Sequence, residues 1–132
     1  MEKISKVILS NMCMVYHNDE ILVMNRIKSD WPGLTFPGGH VEDNETIEES
    51  VIREIKEETN LDINDVKLVG IIEWDIIKNI RYIGFLYKTS SFKGEISSSK
   101  EGEVFWIKRN ELNNYVLSLD FKEMCENYFF KE

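Results

Sequence analysis

The sequence predicts an α/β protein in which a mixed sheet packs against a central helix. Paired runs of β-branched and apolar residues, each pair joined by a short polar turn, predict strands, and an acidic segment with an apolar stripe at helical spacing predicts the helix. The chain has 132 residues, of which 42% are hydrophobic and 30% charged, which is enough for one domain with its own core. We therefore expect a single domain over residues 1–132.

Five apolar runs predict strands, at about 5–16, 21–26, 66–77, 80–90 and 104–107. The polar residues 17–20 and 78–79 join the first four runs into two hairpins. The segment from Ser118 to Phe130 predicts a C-terminal helix.

Signals for the start and the end of the central helix stand at Thr46 and Asn60. Thr46 followed by Glu49 has the spacing of a capping box, in which each side chain accepts a hydrogen bond from the other residue's amide. Asn60 can adopt the left-handed conformation that closes a helix. The helix is therefore expected over about 47–59.

Three glutamates, Glu54, Glu57 and Glu58, share one sector of this helix. The sector lies at the edge of an apolar stripe formed by Ile47, Val51, Ile52 and Ile55. An acidic face in water is one explanation, because like-charge pairs at this spacing cost only about 0.2–0.5 kcal/mol each. A divalent cation is the other, because carboxylates at i, i+3 and i+4 converge and Mg²⁺ prefers hard oxygen ligands.

The longer pattern around the helix favours the cation. Gly39 is followed after five residues by Glu45, and after seven more by Arg53-Glu54-Ile55-x-Glu57-Glu58-x-x-Leu61. This pattern, over residues 39–61, resembles the signature of the Nudix (MutT-like) hydrolases, G-x5-E-x7-R-E-U-x-E-E-x-G-U, where U is a bulky aliphatic residue. Asn60 stands where the family has Gly. Since both residues accept a positive φ, the substitution Asn60→Gly is expected to be neutral.

The resemblance implies a Nudix-type αβα sandwich with a mixed β-sheet, and hydrolysis of nucleoside diphosphates linked to another moiety. It assigns binding of Mg²⁺, or alternatively Mn²⁺, to three side chains and one main-chain carbonyl: Glu54, Glu57, Glu58 and Gly38. Arg53 is implied to hold a glutamate in place by a charge-assisted pair, and Glu45 to fix the loop before the helix. Gly39, Glu45 and Asn60 are thus structural residues of the box.

Some members of the family recruit a further glutamate from a loop before a late strand. Glu101 and Glu103 precede the predicted strand at 104–107, and Glu101 is preferred. With Arg53 and the three box glutamates it completes the predicted catalytic set; an exposed loop acid is the alternative.

Four residues are candidates for binding the substrate: Asn11, Thr35, His40 and Asp120. Asn11 interrupts an apolar strand and is expected to project from a sheet face near the pocket. His40 follows the glycine pair and could touch phosphate, or it is a hydrogen-bonded structural histidine. The tryptophans could stack on a base or belong to the core: Trp31, Trp74 and Trp106.

The segments NMC, LTFPGGHVE and EGEVFW resemble the bacterial MutT-like group described as 8-oxo-dGTP diphosphatases. The resemblance implies hydrolysis of an oxidised purine nucleoside triphosphate to the monophosphate and pyrophosphate. Dinucleoside polyphosphates, ADP-ribose and RNA 5′ ends are alternative substrates. A module that senses a nucleotide without cleaving it is an alternative of another class, and retention of every box carboxylate weighs against it.

A net charge of −8 disfavours binding to duplex nucleic acid, so we expect a small-molecule nucleotide as the partner. The first apolar run is broken by Ser10 and Asn11 and lacks a cleavage pattern, and no run is long enough to span a membrane. These features predict a cytoplasmic protein without membrane association, as a monomer or homodimer. Cys13 and Cys125 are expected to be reduced packing residues.

Overall fold

The computed structural model describes residues 2–27 and 32–131; the candidate Trp31 lies outside them. The strands in this part of the chain are β1 Lys6–His17, β2 Glu20–Arg26, β3 Gly33–Thr35, β4 Gly38–His40, β5 Asp62–Ile63, β6 Lys67–Ile77, β7 Ile80–Thr89, β8 Phe92–Lys93 and β9 Gly102–Lys108. The helical elements are α1 Ile47–Thr59, a 3₁₀ helix Arg109–Asn114, and a C-terminal segment in which α2 Phe121–Met124 continues as the π-helical turn Cys125–Phe129.

The described strands form one large mixed sheet and a small one. The main order is β3-β2-β1-β7-β6, with β4 paired to β1 and β9 paired to β2; β5 and β8 pair separately. β1 and β7 run parallel, and the other pairs are antiparallel. β1 is therefore the strand on which the two halves of the large sheet meet.

Helices cover both faces of this sheet. Successive side chains of a strand point to opposite faces, so neighbouring residues of β1 pack against different helices. On β1, Met14 packs with the C-terminal Phe121 and Phe129, whereas Cys13 packs with Val51 and Ile55 of α1. The predicted αβα sandwich with a mixed sheet is confirmed. Both cysteines are free and buried, as expected.

The central helix has the predicted bounds and caps. The Thr46 hydroxyl accepts from the Glu49 amide, the Glu49 carboxylate accepts from the Thr46 amide, and Asn60 has a φ of 73°. Val51 and Ile55 are fully buried, but Ile52 is 38% exposed, so its assignment to the core-facing stripe is wrong.

The C-terminal helix begins at Phe121, so the predicted start at Ser118 is wrong. The preceding segment is extended beside β3, where the Leu34 amide donates to the Val116 carbonyl and the Ser118 amide donates to the Leu34 carbonyl. Asp120 then takes a left-handed φ of 64°, which is incompatible with a continuous helix from Ser118.

Candidate active site

Strand β4 brings Gly38 and Gly39 against the last turns of α1. The Gly38 amide donates to Oε1 of Glu58 over 2.8 Å. Gly39 lies directly beside the Glu54 carboxyl group, since a Cβ built at Gly39 would stand 2.5 Å from the Glu54 Oε2 atom. β4 is held in turn by antiparallel pairing with β1, in which Asn11 is the register partner of Gly39. The start of the box and two of its glutamates are therefore in direct contact.

Arg53 lies between the loop before α1 and the acidic face of the helix. Its Nε and Nη2 donate to the two oxygens of Glu45 at 3.0 and 2.8 Å. Its Nη1 donates to Oε1 of Glu54 at 2.8 Å and to Oε1 of Glu57 at 3.2 Å. Nη2 also reaches the His40 carbonyl at 3.0 Å. One guanidinium thus orients the loop and two box carboxylates at once, which a point charge on lysine could not do.

Glu45 closes the loop that enters the helix. Its Oε1 accepts from the Glu42 amide at 2.8 Å as well as from Arg53. The hydrogen bond from Arg53 is the largest cause that lowers the pKa of Glu45, and the same pair raises the pKa of Arg53. Both groups therefore carry their charges throughout the neutral range.

The three box glutamates differ in exposure. The Glu58 residue is 5% exposed, whereas the Glu54 and Glu57 side chains are 14% and 59% exposed. Burial raises the pKa of Glu58 to about 8 and the negative charges of Glu54 and Glu101 act in the same direction, against the Gly38 hydrogen bond. Burial also raises the pKa of Glu54, with Arg53 opposing the change. The site holds more negative charge than its protein donors balance.

Glu101, the preferred late-loop candidate, belongs to this cluster. Its charge contributes to the raised pKa of both Glu54 and Glu58, so it lies within electrostatic reach of both. Glu103 is exposed on β9 opposite Asn25 of β2. Glu101 is thus the nearer of the two candidates in electrostatic terms, and its role as a ligand stays a prediction.

Arg26 is a basic residue near the acidic side chains that the sequence pattern did not reveal. It ends β2 opposite Gly102, the residue after Glu101, and its positive charge lowers the pKa of Glu58. Its Nε is buried and has no hydrogen-bond partner within the described residues. An arginine that closes an apolar strand run is the signal that was present, but only strand register shows what it faces.

The donor set fits a hard divalent cation, although the side chains are held by protein donors as they stand. Among residues 2–27 and 32–131, no three acidic, histidine or cysteine side chains converge to hold a metal ion. Oε1 of Glu54 and Oε1 of Glu57 accept hydrogen bonds from Arg53, and Oε1 of Glu58 accepts one from the Gly38 amide. The carboxylates of Glu54, Glu57, Glu58 and Glu101 are nevertheless hard oxygen donors of the kind that Mg²⁺ or Mn²⁺ favours.

The four substrate candidates lie in different settings. Asn11 is buried between β1 and α1, where its Nδ2 donates to Ser50 Oγ at 2.9 Å; its Oδ1 has no partner in the part of the chain that is described. Thr35 is buried with its hydroxyl 3.9 Å from the Met12 sulfur. His40 is exposed and joins the Arg53 network through its carbonyl, and Asp120 is exposed ahead of α2. Their roles in binding stay predictions.

Two tryptophans are engaged with other rings. Trp74 stacks on Tyr82 with 6.0 Å between centroids, and Trp106 lies 5.4 Å from Phe92. Trp106 also packs against the core beneath α1, which agrees with a structural role.

None of the helices in the described ranges is long and apolar enough to cross a lipid bilayer.

Comparison with protein families identifies the chain's relatives. A family model described as the NUDIX domain matches residues 9–127. This range includes the glycine pair, α1 and Glu101, so every part of the acidic cluster lies within the match.

Three relatives have similar levels of sequence identity to this chain. The uncharacterized Nudix hydrolase YvcI of Bacillus subtilis is 31% identical over 77% of this chain and 66% of its own length. An 8-oxo-dGTP diphosphatase of Proteus vulgaris is 32% identical over 64% of this chain and 75% of its own. An ADP-ribose pyrophosphatase of Methanocaldococcus jannaschii is 31% identical over 87% and 69%, respectively. Sequence identity alone therefore does not separate these two substrates.

Solved structures share the fold. A MutT NUDIX hydrolase of Burkholderia pseudomallei superposes with a TM-score of 0.80 at 20% identity, over 93% of this chain and 98% of that one. The MutT protein of Bacillus halodurans gives a TM-score of 0.77 at 27% identity, over 90% and 80%.

Proposed function

The chain belongs to the Nudix family, and from that premise we propose that it is a divalent-metal-dependent pyrophosphohydrolase of nucleoside diphosphate-linked substrates. One observation carries the proposal: Arg53 holds Glu54 and Glu57 beside the buried Glu58, which in turn binds the amide of Gly38. A solvated acidic face has no need of a buried carboxylate with a raised pKa. Glu54, Glu57 and Glu58 are the expected metal ligands, together with the Gly38 carbonyl and Glu101.

The reaction is attack of water on a phosphorus atom of the diphosphate. A new P–O bond forms to the water oxygen, the bridging P–O–P bond breaks, and a carboxylate of the site accepts a proton from the water. A bound Mg²⁺ or Mn²⁺ supplies neutralisation of the phosphate charge. Arg53 does not touch the phosphate in this proposal; it keeps Glu54 and Glu57 in place through its hydrogen bonds.

A polyanionic substrate must overcome a net charge of −8 on the protein. The metal reverses the sign of the local charge at the carboxylates. Arg26 supports the same end, because it lies close enough to affect Glu58 and its buried Nε has no partner within the described residues. We assign it to binding of substrate phosphate.

The substrate that we favour is 8-oxo-dGTP or a related (deoxy)nucleoside triphosphate, cleaved to the monophosphate and pyrophosphate. The 32% identical relative from Proteus vulgaris supports this choice. ADP-ribose is the second candidate, supported by the 31% identical relative from Methanocaldococcus jannaschii. The chain also matches NAD-capped RNA hydrolases, but spans only 37% of their length.

The cellular setting is part of the same proposal. We assign residues 1–132 to one Nudix domain that acts in the cytoplasm as a monomer or homodimer. Its partner is a small nucleotide, since a net charge of −8 disfavours binding to duplex nucleic acid.

A panel of nucleotides tests the proposal. The protein is incubated with Mg²⁺ or Mn²⁺ and 8-oxo-dGTP, dGTP, ADP-ribose or diadenosine polyphosphates, and the products are separated. We expect turnover of at least one, fastest with 8-oxo-dGTP, and its loss with a chelator. Tight binding of a nucleotide without cleavage in either metal would instead identify a sensing module.

A further inference from the structure

Asn60 makes a contact that the family's glycine cannot make. Its Nδ2 donates to the main-chain carbonyl of Glu95 at 3.2 Å, while its φ of 73° closes α1. The cap conformation alone predicts that Asn60→Gly is neutral, because glycine adopts that φ freely. The side-chain hydrogen bond is an additional link between the end of α1 and the chain that follows β8.

The segment held by Asn60 leads to Glu101. The Ser97 amide donates to the carbonyl of Thr59, the last residue of α1, at 2.9 Å. This is a second hydrogen bond between the segment and the end of the helix. Further along, the Glu101 amide donates to the Ser99 hydroxyl at 3.2 Å. The start of the loop is therefore bonded to the C-terminal end of α1 at two points, and its end, where Glu101 stands, is folded back by a local hydrogen bond only four residues after Ser97.

The end of α1 and the end of the loop both belong to the acidic site. Glu57 and Glu58 lie in the last turn of α1, immediately before the cap. Glu101 stands directly before β9, whose first residue, Gly102, is the register partner of Arg26. The position of the loop relative to α1 therefore determines where the Glu101 carboxylate lies relative to Glu58.

We propose that Asn60 is a positioning residue that holds the loop of residues 95–101 against the end of α1 and thereby places Glu101 at the metal site. The inference rests on the proposed function, because it treats Glu101 and the box glutamates as ligands of one divalent cation. It gives the departure from the family pattern a physical role: the side chain adds a link that glycine lacks.

A matched control separates this link from the effect of asparagine in a left-handed conformation. Asn79 has a φ of 69° in the turn between β6 and β7, outside both α1 and the loop that carries Glu101. Asn60→Gly and Asn79→Gly make the same chemical change at nearly the same φ, 73° and 69°. Only the first removes a hydrogen bond to the loop that carries Glu101.

The test is Mn²⁺ binding without substrate, measured by the electron paramagnetic resonance signal of the free ion. We expect Asn60→Gly to weaken binding about three- to tenfold, equivalent to about 0.7–1.4 kcal/mol, and Asn79→Gly to leave it unchanged. Hydrogen exchange at the Ser97 amide should quicken only in Asn60→Gly. In a Glu101→Gln background, Asn60→Gly should weaken binding no further, because the two changes act through one ligand.

Wild-type affinity in Asn60→Gly would overturn the inference, and so would a full additional loss in the Glu101→Gln background. Glu57→Gln in the same assay reports on the proposed function separately. If Glu57→Gln abolishes Mn²⁺ binding while Asn60→Gly does not change it, only the role of Asn60 is wrong. If the wild-type protein binds no Mn²⁺, the proposed function and this inference both fail.

Discussion

The main-chain amide of Gly38 donates a hydrogen bond to Oε1 of Glu58 over 2.8 Å, and this contact joins β4 to the last turn of α1. Glu58 is 5% exposed, and burial raises its pKa to about 8. A carboxyl group in this setting takes up a proton near neutral pH unless a cation stabilises its charged form. The burial of Glu58, which outweighs the hydrogen bond from Gly38, therefore links metal binding to proton release.

Metal affinity should increase with pH. Because Glu58 must lose its proton to bind a cation, Mn²⁺ binding should tighten as the pH rises from about 6 to about 8, with protons released on binding. Titration calorimetry in buffers of different ionisation enthalpy measures the released protons. Glu58→Gln should lose most of this pH dependence; an affinity that is constant over the range would contradict the assignment.

Stability of the metal-free protein should change in the opposite direction. The folded-state pKa of Glu58 is raised from 4.5, so its protonated form contributes stability that is fully present below about 4.5 and is lost as the pH rises through about 8. In EDTA, the melting temperature of the wild type should fall between pH 6 and 8.5 more than that of Glu58→Gln. Equal falls in the two proteins would show that Glu58 titrates normally.

Arg53→Lys should lower turnover about 10- to 100-fold, because lysine cannot hold Glu45 through two nitrogens and also reach Glu54 and Glu57. Steady-state kinetics over a range of Mg²⁺ concentrations measures the effect. The control is Arg81→Lys, which alters an exposed pair with Glu73 on the β6–β7 hairpin. Similar activity in both variants would rule out a positioning role for Arg53.

Much of the site was predictable because its signals are local. The capping box, the left-handed Asn60 and the spacing of the glutamates all lie within one short segment, and helix geometry converts that spacing into one acidic face. Strand pairing is not local, and for this reason Arg26 was missed: it meets the site only through the register of β2 with β9. The short strands, such as β4 with three residues, are too brief for a periodic signal.

Substitution of Gly38 and of Gly39 by alanine should have different effects. A Cβ at Gly39 meets the Glu54 carboxyl group at 2.5 Å, so Gly39→Ala should displace a ligand and lower turnover about 10- to 100-fold with little loss of stability. A Cβ at Gly38 meets the Asn11 carbonyl oxygen at 2.1 Å, so Gly38→Ala should cost about 1–3 kcal/mol of stability. Thermal denaturation and kinetics of both variants make the comparison, and equal activity of Gly39→Ala and wild type would contradict it.

Turnover of Glu57→Gln at saturating Mg²⁺, with the nucleotide that the wild type cleaves fastest, tests the metal-site assignment most directly. Glutamine keeps the shape of the side chain and removes its charge, so we expect a loss of at least about 100-fold in kcat. Glu48→Gln is the control, since Glu48 is exposed in the first turn of the same helix, outside the sector shared by Glu54, Glu57 and Glu58. It should retain wild-type turnover. If Glu57→Gln and Glu48→Gln are equally active, the acidic face of α1 is not a metal site.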